Sequence, residues 1–547
     1  MAEASLAEEG DLVAAFAGRL DNIDDLRKAL ESDGSSPRDV TPASVLAALF
    51  RRSGDGAAAA LRGAFAAAVT DGERLWVLRD QAGMRSVFYR DDQTGTYAAS
   101  EAKQVAAGAG ISREPDEDVL TAVFFRDLDD DTPSAIHGVQ RLPKATVLLV
   151  DEEGSRTRRF WHPERLLETS DIAPADVPAR FETLMTQACE RMMSGPDCVS
   201  LSGGIDSPAV AAFAAPAHER LFGTPLAALS AVYPDQPMVD ESAFIQLTAE
   251  RYGMPLHTYE RHARPTADLQ RWVDLLDGPV PQILVSDAAE HYGHAARLGL
   301  TSTLTGEVAE YLFDLRGPLV AHLARLGRIG PTFRHLRDQR RHHGVGSGAI
   351  ARQLLAGAVP GWIARPWLRW QARRPSANTP PWIEAARATR PRVRSVVAPW
   401  ERWSALQLGG FIGPGLTMEA DEIVQAVCGA RARRPFADVD LWEFFLSLRA
   451  EVKFPDTHGK GLMRTLLRGR VPDPILDRRQ KTVFDDSLQA RIEYEDLDRW
   501  LRSGDWRMPG VDYTLLLDRI DARCLGVHEY IRAKDLAAAH AFVELLS

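Results

Sequence analysis

The sequence predicts an α/β protein in two parts: a β-rich, layered N-terminal part, then a parallel α/β part that ends in helices. Three observations predict it. Up to about residue 165, short apolar runs are punctuated by Gly and Asp turns. From Ala179 onward, short buried runs alternate with helical periodicity, the rhythm of parallel strands joined by crossover helices. One of these strands leads into its helix through a Ser- and Gly-rich turn. At about 150 residues per domain, 547 residues suffice to bury cores without disulfides or a structural metal.

The elements follow in order. Residues 12–18 form an apolar run ending in Gly, and 25–30 read as helical. The runs 64–70 and 75–79 flank Asp71-Gly72, a hairpin signal. Residues 87–89, 96–100 and 145–150 are further strands, and a linker rich in Pro, Asp and Ala covers 172–178. Beyond it, 181–193 is an amphipathic helix, 198–201 a buried strand, and 209–214 the opening of the next helix. Residues 226–232 form a strand, 241–252 a helix and 300–305 a strand. The last third is mostly helical.

Composition narrows the function classes. No apolar run reaches the 18 residues of a membrane span, and the acidic first ten residues predict neither a secretory signal nor a transit peptide. The four cysteines (Cys189, Cys198, Cys428, Cys524) show no paired spacing and are expected as reduced thiols in a cytoplasmic protein. Net charge is −11, unevenly spread. Residues 316–400 hold sixteen Arg, no Lys and only Asp338 and Glu384 as acids, and six of the twelve Trp fall within 362–403. This insertion is either a receiving surface for an acidic peptide, a protein or nucleic acid, or a helical segment with Arg on a solvated face and Trp packed inward. His335, His342 and His343 lack the spacing of a zinc site and are expected at the surface.

The most informative segment is Ser202-Gly203-Gly204-Ile205-Asp206-Ser207-Pro208, after a strand and at a helix start. The glycines let backbone N–H groups turn toward an anion. Ser202 and Ser207 add hydroxyls, and the helix N-terminus adds partial positive charge. Asp206 would repel a phosphate unless a cation lies between them, which implies Mg²⁺. No Gly-Lys-Ser/Thr follows, so this is not a Walker-type loop.

The segment resembles the SGGxDS pyrophosphate loop of the N-type ATP pyrophosphatases, which split ATP to AMP and pyrophosphate to adenylate a substrate. Residues 16–22, 61–66, 71–75, Arg79-Asp80 with Gly83, and 99–103 resemble the glutaminase domain of class B asparagine synthetases, an Ntn-hydrolase-like α+β sandwich, with Phe160-Trp161 at its end. Residues 433–438 (RRPFAD) and 479–484 (RQKTVF) resemble the synthetase segments RVPFLD and RxKxxF. The resemblance implies a glutaminase-like domain over 1–170 and an ATP-pyrophosphatase (PP-loop) domain over 175–547, with the insertion at about 316–403.

One departure bears on function. A working glutaminase of this family needs a cysteine directly after the initiator Met, whereas here Met1-Ala2-Glu3 stands and the first cysteine is Cys189. The glutaminase-like domain is therefore expected to be degenerate, and the nitrogen nucleophile to be ammonia or an amine on the substrate. Lasso peptide cyclases, which join a peptide's N-terminal amine to an Asp or Glu side chain, fit that loss. They resemble this chain in the Arg-rich insertion after 313–317 and in the run 434–446 more than the β-lactam synthetases do. The resemblance implies ATP and Mg²⁺ as cofactors and a precursor peptide as substrate. It also implies a leader-binding protein and a leader peptidase as partners, with neither membrane nor nucleic acid.

Site residues carried by the resemblance are specific. Ser202, Gly203, Gly204, Asp206 and Ser207 would hold pyrophosphate, with Asp206 also on Mg²⁺. Residues 305–310 (TGEVAE) resemble the SGxGxDE loop, with Gly306 beside the nucleotide. Glu310 stands where an acid helps hold Mg²⁺, or is only a helix-start acid; the second Gly of the motif is Val308. Glu307 would orient or deprotonate the amine, or is a solvated carboxylate. Leu229, Ser230 and Val232 line the strand edge that holds adenine through backbone groups. Lys481 would meet charge at the α-phosphate and acyl carbon. Lys460 is a second cation candidate, or a helix support. Asp240-Glu241 resembles an acidic pair near the nucleotide, unless Asp240 only caps the next helix.

Overall fold

The computed structural model describes all residues except 1–3, 127–132, 265, 267, 280–284, 315–318, 361, 364–365, 367–378, 385–406, 408–415, 457–458, 479–481 and 483. The N-terminal half contains β1 (Ala4–Glu9), β2 (Leu12–Leu20), β3 (Gly63–Thr70), β4 (Leu75–Arg79), β5 (Phe88–Asp92), β6 (Gly95–Ala99), β7 (Gln140–Arg141), β8 (Thr146–Asp151) and β9 (Gly154–Arg159). Six of them form an antiparallel sheet in the order β1-β2-β3-β4-β8-β9, and β6-β5-β7 form a second sheet. Alternation explains the burial of β2: Leu12, Ala14, Phe16 and Leu20 point inward. The helix Pro42–Ser53 packs on that sheet. It starts where the Thr41 side chain accepts from the Ser44 amide and Pro42 takes the first helical turn.

The hairpin expected around Asp71-Gly72 is β3–β4, closed by Asp71 Oδ1, which accepts from the Glu73 and Arg74 amides at 3.1 and 2.7 Å. Several elements escaped the sequence reading, among them β1, β7, β9 and the helices Pro42–Ser53, Ala102–Ala109 and Glu117–Phe125. β1 is mostly exposed and ends in two glutamates, so it shows no apolar run.

The C-terminal half is built on β10 (Asp197–Ser200), β11 (Ala227–Val232), β12 (Leu256–Glu260), β13 (Ser302–Leu304) and β14 (Arg431–Arg433). They form one sheet, ordered β12-β11-β10-β13-β14, with every pairing parallel. After β10 the chain adds β11 and β12 on one side, then returns to lay β13 and β14 on the other. The reversal falls between β10 and β13, and ligands of open α/β sheets bind in the crevice at the strand carboxyl ends there. Ala209 to Ala215 are buried in the helix Asp206–Phe222, which covers one face.

The two halves share a buried ionic cluster. Arg79 on β4 and Arg141 on β7 both donate to Glu419 on the helix Leu416–Cys428, at 2.6 and 2.9 Å. Burial pushes the Glu419 carboxyl up, but Arg141 and Arg79 together hold it below the usual range.

Among the described residues no helix is long and apolar enough to cross a membrane. Cys189 and Cys198 are buried and free, and burial raises both thiols, Cys198 to about 12. His335 was expected at the surface; it is buried, and its Nε2 meets the Phe454 carbonyl at 2.9 Å. It sits on the inward face of the amphipathic helix Ile329–His343, a face that a rule based on metal spacing ignores. The side chains of His342 and His343 and much of the insertion beyond residue 360 lie outside the described residues. Within it, Trp382 is fully buried and Trp362 is exposed.

Candidate active site

The loop after β10 and the loop after β13 meet at the switch point. They touch closely: a Cβ on Gly306 would lie 2.6 Å from the Asp206 carbonyl carbon and the Ser207 nitrogen. Glycine is therefore required at 306 for close approach. Val308, at the motif's second glycine position, takes the left-handed φ of +75° that glycine adopts freely and a β-branched residue rarely does.

Two openings flank the Ser202–Ser207 loop. The larger, about 510 Å³, is lined by Ser202, Asp206, Ser207, Gly306, Glu307 and Glu310, among others. The smaller, about 200 Å³, is lined by Gly203, Gly204, Asp206, Lys460 and Arg478 with their neighbours. Asp206 belongs to both.

Inside the loop, Ser207 Oγ accepts from the Ser202 amide at 2.8 Å, and the two serine hydroxyls lie 3.0 Å apart. The expectation that both glycine amides face an anion needs correction. Gly203 N–H donates to Glu241 Oε2 at 2.9 Å, and a Cβ on Gly203 would lie 2.6 Å from Glu241 Cβ. Gly203 thus serves close packing against an acid. Glu241 Oε1 also accepts from Arg478 at 2.8 Å and from the Thr482 hydroxyl at 2.6 Å. The helix Ser242–Arg251 has no side-chain cap, so Asp240 does not cap it; it accepts from the Ser242 hydroxyl at 2.6 Å instead. Of the acidic pair, Glu241 is the one that braces the loop.

Lys460 sits on Asp206, its Nζ 2.5 Å from both carboxylate oxygens. Lys481 lies outside the described residues. Arg478 and Thr482, which flank the undescribed residues 479–481, are both bonded to Glu241.

On the other side, Glu307 Oε2 accepts from Arg434 Nε at 2.7 Å and from the Thr305 hydroxyl at 3.3 Å. Arg434 also pairs with Asp421, which accepts from Tyr292 at 2.9 Å and from Gln425 at 2.6 Å. Burial works against the Arg434 charge, but Glu307 and Asp421 outweigh it and hold the guanidinium firmly protonated. Sequence reasoning missed Arg434, Asp421 and Tyr292 as site residues. The only trace was RRPFAD, which carries Arg434.

Glu310 lines the larger cleft, and its carboxylate has no partner among the described residues. Those residues also contain no group of three or more His, Cys, Asp or Glu side chains able to hold a metal. Asp206 and Glu310 therefore do not form an all-protein cage. Mg²⁺ that arrives with a polyphosphate needs only one or two carboxylates, and this pair fits that requirement.

The sheet register bears on Leu229, Ser230 and Val232. β10 pairs with β11 only as far as Ser200 opposite Leu229, whereas β12 continues to Glu260 opposite Val232. The β10 side of Ala231 and Val232 thus has no strand partner, and it opens at the carboxyl ends. Leu229 and Ser230 are buried; the Ser230 hydroxyl donates to the Leu201 carbonyl at 2.7 Å.

An antiparallel layered domain joined to a parallel α/β domain with an anion loop at its switch point defines the class: an amidotransferase-like domain fused to a nucleotide-using synthetase domain. Comparison with known proteins gives the family. Residues 180–529 match the family model "Asparagine synthase" and residues 4–161 the "Glutamine amidotransferase domain". The chain belongs to the asparagine synthase family, a family of ATP-dependent amide ligases. It is 24% identical over 517 residues to "Asparagine synthetase [glutamine-hydrolyzing] 3" of Bacillus subtilis (strain 168), covering 92% of this chain and 80% of that protein. Among solved structures, glutamine phosphoribosylpyrophosphate amidotransferase from B. subtilis matches at 15% identity and a TM-score of 0.22, over 56% of this chain and 64% of that one. A class-II glutamine aminotransferase domain protein from Silicibacter pomeroyi matches at 18% and 0.19, over 28% and 70%.

Proposed function

We propose that the protein is an AMP-forming lasso peptide cyclase. It adenylates an Asp or Glu side chain of a precursor peptide, and the peptide's own N-terminal amine then closes an isopeptide bond. The observation that carries this reading is the meeting of two loops at the switch point. It puts Asp206, Glu310 and Glu307 on one cleft of about 510 Å³, while residues 4–161 contain no cysteine to release ammonia from glutamine.

In this reading Ser202, Gly204 and Ser207 cradle pyrophosphate, and the open edge of β11 at Ala231 and Val232 takes the adenine. Asp206 and Glu310 would hold Mg²⁺, which neutralises the polyphosphate charge when bound. A carboxylate oxygen attacks the α-phosphorus and pyrophosphate leaves. Lys481, with Lys460 as the second cation candidate, meets the charge that develops next, when the amine attacks the acyl carbon and AMP departs. Glu307 receives the amine's proton. Arg434 and Thr305 fix its Oε2, and its Oε1 has no partner among the described residues.

The Arg-rich insertion receives the peptide or its leader-binding protein. The helix Ile329–His343 supports this, because it exposes Ile329 and Phe333 together with Arg334, Arg337, Arg340 and Arg341. A leader peptidase would act alongside.

The test is mass spectrometry of a precursor core peptide incubated with the protein, ATP and Mg²⁺. A product lighter by one water, with AMP released in step, is expected. An uncyclised amide that appears only when ammonia is added would assign the chain to an ammonia-using synthetase. Closure only of a small amino acid derivative would assign it to a β-lactam synthetase-like enzyme.

A further inference from the structure

On the β12 side of the larger cleft stands a polar wall that the chemistry above leaves unused. Arg261 directly follows β12, and His291 and Tyr292 lie on the helix Val285–Arg297; all three line the cleft. The wall is braced from behind. The Tyr259 hydroxyl lies 3.0 Å from His291 Nδ1, and the Tyr259 ring stacks on His294 at 4.0 Å. The Arg261 guanidinium lies over the Tyr259 ring at 5.6 Å, and its Nη1 donates to the Asp287 carbonyl at 2.7 Å and to Glu290 at 3.4 Å. Asp287 in turn is held by Arg491 at 2.7 Å.

Two nitrogens of this braced wall, Arg261 Nε and His291 Nε2, are buried and make no hydrogen bond among the described residues. Buried polar atoms without partners are rare, because the lost hydration is not replaced. Both are donors. Burial and the neighbouring Arg261 cation hold the His291 ring neutral, its pKa down at about 4. Burial keeps the Tyr259 hydroxyl protonated. In the tautomer in which that hydroxyl donates to Nδ1, the ring proton sits on Nε2 and faces no protein acceptor among the described residues. Two N–H donors beside a guanidinium charge match the two oxygens of a carboxylate. Glu307 and Glu310, on the loop after β13, line the same cleft, where they repel a carboxylate and suit an amine; Asp421 is taken up by Tyr292 and Arg434, and the lining acid Asp287 by Arg491.

We propose that Arg261 and His291 form a subsite for a carboxylate of the substrate, with Arg261 Nε–H and His291 Nε2–H each donating to one of its oxygens. The proposal rests on the reading of the site as a carboxylate-activating ligase, and it gives the cleft a polarity: carboxylate toward β12, amine toward β13.

The experiment uses the full chain with isotopically labelled histidine rings and follows the His291 signal by NMR, assigned by its loss in His291→Gln. Capped aspartate and capped glutamate are the probes; capped asparagine and AMP are the controls. A saturable shift with the two acids, and none with capped asparagine, is expected. Arg261→Gln should weaken it about ten- to a hundredfold, with the other histidine signals in place. Should Arg261→Gln not fold, Arg261→Lys takes its place; it keeps the charge, loses the Nε–H, and is expected to weaken binding in the same direction. No shift with the acids, an equal shift with capped asparagine, a shift produced by AMP alone, or unchanged affinity in the folded Arg261 variant overturns the subsite.

Asp206→Ala separates the two readings. It should leave the aspartate titration intact while ATP–pyrophosphate exchange disappears. Absence of exchange in the parent protein with an intact titration sinks the ligase reading alone. Exchange in the parent, with titration unaffected in the Arg261 variant, sinks the subsite alone.

Discussion

Asp206 faces two ways. It carries Lys460 as its counter-ion at 2.5 Å, and it shares the larger cleft with Glu310. A carboxylate beside a polyphosphate is useful only with a cation between them. Asp206→Ala should therefore fold and yet lose ATP–pyrophosphate exchange by about 10²-fold or more; near-normal exchange in the folded variant would remove Asp206 from the metal site. Lys481 divides the second half-reaction from the first. Lys481→Ala should still bind ATP but lose product formation by about 10²- to 10³-fold, the usual cost of removing one donor that meets transition-state charge. Lys481→Arg should not rescue it, because a planar fork cannot replace a compact ammonium at one point. If Lys481→Ala turns over like the parent, Lys460 becomes the active-site cation. The loop motif itself was legible because its residues are adjacent in sequence. Its supports were legible only in part: Glu241 was marked as one of an acidic pair near the nucleotide, but its reach to Gly203 across 38 residues, and that of Arg434 to Glu307 across 127, come only with the tertiary fold.

The helix Leu416–Cys428 links the halves of the molecule. Its Glu419 lies between Arg79 and Arg141 of the N-terminal half, while its Asp421 lies on the cleft with Arg434 and Tyr292. Glu419→Ala leaves two buried arginines without their acid, a change that typically costs about 3 to 5 kcal/mol. Chemical denaturation should show that loss. The pH dependence has a definite sign. The folded-state pKa of Glu419 lies below its unfolded value of 4.5, so the unfolded chain binds the extra proton first as the medium becomes acidic. The stability contributed by Glu419 is therefore present above pH 4.5 and lost as pH falls below it. The difference in stability between parent and Glu419→Ala should shrink on acidification; a constant difference down to acid pH would show that the ion pairs are not its source. Periodicity made β10, β11 and β13 readable, since each holds a short buried run bounded by turns, whereas β12 and β14 are only partly buried and escaped it. It could not give the role of this helix, because Glu419 finds both arginines only through the tertiary fold.

At the scale of the whole chain, the N-terminal half keeps the layered fold of an amidotransferase domain without a cysteine anywhere between residues 4 and 161. Of the chain's cysteines, Cys189 and Cys198 are buried with raised pKa values, far from the thiolate that covalent attack on glutamine needs. Glutamine should release no glutamate above background, with or without ATP; release that tracks the purified protein would restore a glutaminase. The fold class was legible at this scale because turn-bounded β runs and βα alternation occupy separate stretches of sequence. The division of the cleft between acids on the β13 side and Arg261 with His291 on the β12 side was not, because no local motif marks either residue. The central claim is that a substrate carboxylate is joined to AMP before the amine attacks. The most direct measurement supplies the precursor peptide with oxygen-18 in its Asp or Glu side-chain carboxylate, together with ATP and Mg²⁺, and weighs the nucleotide released. An acyl-adenylate hands one labelled oxygen to AMP as the ring closes. Unlabelled AMP, or ADP in its place, would contradict it.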